Sequence, residues 1–132
     1  MSIDDDKLIE VGEFYQELND VIGSKLPLKK IYMSKGLSSH MIKRKHFCAL
    51  KHINDISDII KKPDYIGINP NEDGDTVELI KVFDKNILVG IKLDIENDYL
   101  YVSTMHDIPQ SKLDRRLYSG RIKEFFIDKN KR

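Results

Sequence analysis

The chain has 132 residues, 40% of them hydrophobic and 33% charged, with 22 Lys/Arg balancing 22 Asp/Glu. That length suits one compact domain with a real core, and the composition excludes a fibrous or low-complexity chain. No apolar run approaches bilayer length, the start Met1-Ser2-Ile3-Asp4-Asp5-Asp6 is acidic where a secretory leader is basic and then apolar, and a lone Cys48 excludes an internal disulfide framework, so the expectation is a cytoplasmic protein with no membrane partner.

Over residues 5–22, Leu8, Val11, Phe14 or Tyr15, Leu18 and Val21 or Ile22 recur at steps of three and four, which predicts an amphipathic helix ended by Gly23-Ser24. After Pro27, the apolar Ile31-Tyr32-Met33 predicts an edge strand. A basic helix entered at Ser34 or Ser38 follows, then a second amphipathic helix over residues 49–61, closed by Pro63. The second half changes period. Residues 76–83, 87–93 and 99–105 are rich in β-branched and aromatic residues and are separated by the turn-like Asp84-Lys85-Asn86 and Glu96-Asn97-Asp98. The alternation slips near Leu79-Ile80, which reads as a bulge. Residues 112–119 predict a short helix ending at Gly120, and 122–127 an apolar strand or helix. Helices over residues 1–62 followed by an antiparallel sheet and a C-terminal segment over 63–132, within a single domain 1–132, make the expected class α+β.

Net charge is zero only as an average. Residues 1–20 carry seven acids and one lysine, residues 25–62 ten Lys/Arg and two acids, residues 63–108 ten acids and three lysines, and residues 109–132 eight Lys/Arg and three acids. The two basic blocks either converge into one positive surface for an anion such as a nucleic acid backbone or pair with the acidic blocks inside the fold.

The densest chemistry lies in His40-Met41-Ile42-Lys43-Arg44-Lys45-His46, two histidines and three permanent cations in seven residues. Histidine exchanges protons near neutral pH, and Lys and Arg hold phosphate. On a helix His40 and His46 each neighbour Lys43 at three-residue spacing, a kit for phosphodiester chemistry, although a solvated basic face would read the same way. Ser103 and Thr104 place two hydroxyls at the end of an apolar strand, as donors to a phosphate oxygen or as a plain strand cap. Tyr99 and Tyr101 share a face with Lys92 and Ser103, either stacking platforms beside a cation or ordinary sheet packing. Arg115, Arg116 and Arg121 add charge shortly afterwards, and Ser119-Gly120-Arg121 is suited to an anion-binding turn.

Other patterns carry less. Asn69–Asp75 resembles the front of a calcium loop, but Pro70 stands at its second position and Ile80 where a bidentate acid belongs. His46, Cys48 and His52 match no common zinc spacing, Cys48 reads as a small core residue, and His52 as a surface or packing residue. No phosphate-binding glycine loop, dinucleotide motif or nucleophile elbow is present, and neither cofactor nor metal is expected.

The order of parts resembles the phage-associated branch of the Barnase/EndoU/colicin/RelE-like nucleases, abbreviated PBECR. The resemblance spans roughly residues 31–121 and rests on Lys45-His46 in the basic helix, Pro63-Asp64-Tyr65-Ile66, and the strand end Val102-Ser103-Thr104-Met105. It implies N-terminal helices packed on a curved antiparallel sheet and metal-independent cleavage of RNA by toxins or by phage and mobile-element proteins. On that reading His46 and His40 carry protons, with His106 able to replace His40. Lys43 and Lys45 supply charge to the phosphate, Ser103 and Thr104 hydrogen bonds, and Arg44, Lys92, Tyr101, His106, Arg115, Arg116 and Arg121 contact the RNA. No glutamate stands out as a base of the Barnase kind. The expected partners are the RNA substrate and, for a toxin, an antitoxin or immunity protein. The competing readings are a catalytically inactive RNA- or protein-binding module of the same fold, and a structural or regulatory phage or mobile-element protein.

Overall fold

Alternating apolar residues dominate the second half of the chain, and there the sheet forms as the pattern dictates. The computed structural model describes residues 8–70 and 75–125. The elements in chain order are β1 (Leu8–Glu13), α1 (Gln16–Ile22), β2 (Lys30–Ser34), α2 (Leu37–Lys43), α3 (Phe47–Leu50), a 3-10 turn (Ile53–Asp55), α4 (Ile56–Lys61), β3 (Tyr65–Asn69), β4 (Thr76–Val82), β5 (Asn86–Asp94), β6 (Tyr99–Ile108), α5 (Gln110–Ser119) and β7 (Ile122–Glu124). The protein is α+β. The seven strands among the described residues form one sheet in the order β1-β2-β6-β5-β4-β3-β7, antiparallel throughout except for the parallel pair β2 and β6.

The two sheet faces carry different cores. Ile31, Ile66, Val77, Leu79, Ile87, Val89, Ile91, Leu100, Val102 and Met105 bury one face together with Leu18 of α1, Leu37 and Met41 of α2, Ala49 of α3 and Ile56, Ile59 and Ile60 of α4. On the opposite face Ile80, Leu88 and Ile108 pack with Leu113 of α5 and Ile122 of β7, while Tyr65 and Leu117 border them. Beyond this second cluster the same face carries Glu78, Thr104 and His106, around which the candidate site is built.

Several expectations are corrected. The helix expected over 5–22 is a strand up to Glu13 and a helix only from Gln16, and residues 1–7 lie outside the described residues. Leu8, Val11 and Phe14 fit a helical stripe, but Gly12 packs against Ile60, where an added Cβ would sit 3.2 Å from Cδ1, so that segment answers to the sheet. Strand β2 is not an edge: β1 covers one side and β6 the other. Strand β1 joins the strand expected at residues 31–33 in the first half of the chain. The helix expected over 49–61 is broken into α3, the 3-10 turn and α4. The bulge is not at Leu79-Ile80, where β4 pairs regularly with β3 and β5, but where Ser103 is inserted opposite Gly90 and Ile91. Strand β3 was not anticipated, and residues 71–74 of the calcium-like loop lie outside the described residues, as do 126 and 127 of the apolar tail. No helix among the described residues is long and apolar enough to cross a membrane.

Candidate nuclease site

The basic segment does not run as one helix. Helix α2 stops at Lys43, where Lys45 N–H donates to Ile42 O (3.1 Å) and His46 N–H to Met41 O (2.9 Å), the paired bonds of a Schellman C-cap. Lys45 occupies the left-handed position of that cap (φ 60°), where glycine is usual. The reversal carries His46 off the helix and against β6, and its ring lies 5.7 Å from that of His106. His106 Nδ1 is 3.0 Å from the carbonyl oxygen of Asp107. A carbonyl only accepts, so Nδ1 carries the hydrogen and Nε2 is left to exchange a proton. Burial, and then the like charge of His106, push the pKa of His46 below the ordinary histidine value of 6.5 against an opposing pull from Asp107, with Arg44 and His40 adding smaller downward effects.

His40, Lys43, Arg44 and Lys45 are exposed. The structure therefore brings His106, rather than His40, into ring contact with His46. Ser103 and Thr104 lie two to three residues upstream of His106 on β6. Ser103 is the inserted residue of the bulge and its Oγ donates to Gly90 O (3.3 Å). Thr104 faces Gly90, and the contact is close: a Cβ on Gly90 would sit 2.7 Å from Thr104 Cγ2 and 2.9 Å from Thr76 Cγ2.

The register extends this row across the sheet as Gly67, Glu78, Gly90 and Thr104 on β3, β4, β5 and β6. Glu78 is the residue that sequence reasoning missed. It is a carboxylate flanked by glycines on both neighbouring strands, with a side chain only 5% exposed. Arg116 Nη1 on α5 lies 3.1 Å from its Oε1, and Arg121 Nη2 lies 3.5 Å from the same oxygen. Gly67 makes room for this: a Cβ there would meet the backbone oxygen of Arg121 at 2.5 Å. Arg116 is 11% exposed, its Nε is buried with no hydrogen-bond partner among the described residues, and burial draws its pKa down against the pull of Glu78. Strands lie about 4.8 Å apart, so Glu78 and Thr104 are separated by about 10 Å at the backbone. The arginine cluster over Glu78 and His106 thus belong to adjacent rows of one sheet face. The available signal was a lone acid inside the apolar run Thr76-Val77-Glu78-Leu79-Ile80.

The remaining expected residues are distributed as follows. Lys92 pairs with Tyr101, one row beyond Glu78 and Gly90. Arg115 is exposed on α5, beside the inward-facing Arg116. His52 stacks on Phe83 (4.0 Å) with Nδ1 2.9 Å from Asp55, away from the histidine pair, and Cys48 is half-buried rather than core. Among the described residues no three His, Cys, Asp or Glu side chains are grouped to hold a metal.

A family model described as phage-Barnase-EndoU-ColicinE5/D-RelE like nuclease3 (PBECR3) matches residues 9–115. The chain belongs to that nuclease family. The match takes in β1 through most of α5, so it includes the histidine pair, the Schellman turn and Glu78, and it stops one residue short of Arg116. No curated protein and no solved structure shows a significant match to the chain.

Proposed function

We propose that this PBECR3 nuclease is a metal-independent endoribonuclease, toxin-like and carried by a phage or mobile element. The observation that carries the reading is the His46–His106 ring pair at 5.7 Å, with Lys45 next to His46 in the chain and Thr104 two residues before His106 on β6. Cleavage of RNA without a metal needs a base for the 2′-hydroxyl, an acid for the 5′-oxygen and cations around the pentavalent phosphate. His46, with its depressed pKa, is neutral near neutral pH and takes the 2′-hydroxyl proton. The 2′-oxygen attacks phosphorus, the P–O5′ bond breaks, and protonated His106 gives its Nε2 proton to the departing 5′-oxygen. The products are a cyclic phosphate and a free 5′-hydroxyl. Lys43 and Lys45 on one side and Arg116 and Arg121 on the other neutralise the phosphate, with Thr104 donating to its oxygens and Ser103 doing so once its hydroxyl turns away from Gly90 O. Glu78 is a positioning residue that holds the two guanidinium groups. His40, exposed on α2, is the reserve proton carrier, and Arg44 and Arg115 attract the RNA backbone. Lys45 supports the reading independently, because a lysine kept in a left-handed cap position has given up local stability for its side chain.

The test is cleavage of total RNA by purified protein with and without EDTA, repeated with His46→Ala. Activity should survive the chelator and fall by about two to four orders of magnitude in the variant, the usual worth of a general acid–base group. Activity lost to EDTA removes metal independence from the reading, and unchanged activity in His46→Ala removes its central residue. Expression without a neutralising antitoxin or immunity protein should arrest growth, and arrest should be relieved by the same substitution.

A further inference from the structure

Beyond the row of Glu78 and Thr104, the open sheet face is tyrosine. The register places Tyr32, Tyr101 and Lys92 side by side on β2, β6 and β5, with Tyr99 two residues further along β6. The rings form a connected group: Tyr99 lies 5.8 Å from Tyr101 and 6.1 Å from Tyr32, the latter edge-on at 66°. All three are half-buried, and none belongs to either apolar cluster, so core packing does not account for them. At their far end an open groove of about 330 Å³ runs between Tyr32, Tyr99, Leu28 and Lys30. Its lysines are already matched, Lys29 to Asp98 at 2.5 Å and Lys30 to Glu10 at 3.3 Å, and Glu13 adds a carboxylate to the lining, which suits an uncharged base better than a phosphate. Burial, and then Asp94, push the Tyr99 phenol up, keeping it a neutral hydroxyl.

We propose that Tyr101, Tyr99 and Tyr32 form a stacking shelf for successive bases of single-stranded RNA leading away from the reaction centre, with the groove at its end taking a further base. The proposal rests on the nuclease reading for the identity of the strand and deepens it by naming the substrate class. Tyr101 and Tyr99 are two strand residues apart, about 6.7 Å, the stride of a strand laid out with its bases splayed, and Tyr32 widens the shelf from the neighbouring strand beside Tyr101. Aromatic rings take any base through its π-face, whereas a duplex hides those faces, so the shelf selects single strands without selecting sequence. Lys92, in the same row as Tyr101, lies where the connecting phosphate passes.

The experiment measures binding of a fluorescein-labelled eight-nucleotide single-stranded RNA, and of the same RNA as a duplex, to the His46→Ala protein, which leaves the probe intact. Tyr101→Leu or Tyr99→Leu added to that protein should each weaken single-strand binding by about 5- to 100-fold, the worth of one base–aromatic stack. Tyr101→Phe should keep it, which separates lost stacking from a damaged sheet. In the wild-type chain, cleavage should quicken as the substrate is lengthened from two to four nucleotides, and Tyr101→Leu should abolish that gain. Equal affinity for duplex and single strand, unchanged binding in both Leu variants, or no single-strand binding at all would overturn the shelf. Tyrosine-dependent binding by a wild type that never cleaves RNA would leave the shelf standing and overturn the nuclease reading.

Discussion

Replacing Glu78 with alanine gives the sharpest test of the buried charge cluster. The variant would leave Arg116, with its side chain 11% exposed and its Nε already unpartnered, as an uncompensated cation against the second apolar cluster. Breaking one side of a buried pair costs about 3–5 kcal/mol. Arg121 is 37% exposed and changes that sum little, because solvent screens its share. For a chain of this size, each kcal/mol lowers the melting temperature by about 4 °C, so Glu78→Ala should melt about 12–20 °C lower. Glu78→Gln keeps the shape and one acceptor oxygen and should lose about half as much. Adding Arg116→Met to Glu78→Ala should restore part of the loss, since the orphaned cation goes with it. Thermal melts followed by circular dichroism, together with urea titrations, measure all three. A Glu78→Ala protein within about 1 kcal/mol of wild type, or a double variant no more stable than the single, would refute the claim that this pair is a buried, mutually dependent unit.

Lys45→Gly should raise stability by about 1 kcal/mol, because glycine adopts φ 60° without the Cβ clash. It should also slow RNA cleavage by about tenfold to a hundredfold, one charged contact's worth, and a stabilised protein of unchanged activity would remove Lys45 from the site. Because the pKa of folded His46 lies below 6.5, the unfolded chain takes the proton first as pH falls. Its contribution to stability is therefore complete above about 6.5 and is lost as pH drops through the folded value. His106→Gln removes the like charge but not the burial, so an NMR titration should show the His46 pKa rising part of the way towards 6.5, with the acid limb of that stability loss narrowing. Gly90→Ala should cost about 1–3 kcal/mol, since its methyl meets Thr104 and Thr76 at under 3 Å. RNA binding should weaken steeply with added salt if residues 35–46 and 112–121 act as one positive surface, and a flat salt dependence would separate them.

How much was legible in the sequence follows from which interactions are local. Strands β4, β5 and β6 were readable because period-two alternation is written in consecutive residues, and α5 because Gly120 caps it in the left-handed conformation. Strand β1 was not, since Leu8, Val11 and Phe14 satisfy a helical stripe as well as an irregular strand, and only Gly12 spoke against a helix interior. The site divides the same way. The segment His40–His46 announces proton carriers and cations, but its helical spacing paired His40 with Lys43 and could not foresee the Schellman reversal at Lys45. That reversal turns His46 towards a histidine 60 residues later in the chain. Glu78 needed two facts that no local pattern holds: glycines opposite it on both neighbouring strands, and two arginines brought over it by the helix and turn that follow β6. What the sequence grouped within seven residues, the fold divides. Lys43 and Arg44 stay in solvent, where they can meet an approaching strand, while His46 is taken out of it, where its proton affinity can be set by burial and by His106. Attraction needs exposed charge and proton transfer needs a shifted one, and the left-handed turn at Lys45 is the point at which the chain passes from the first requirement to the second.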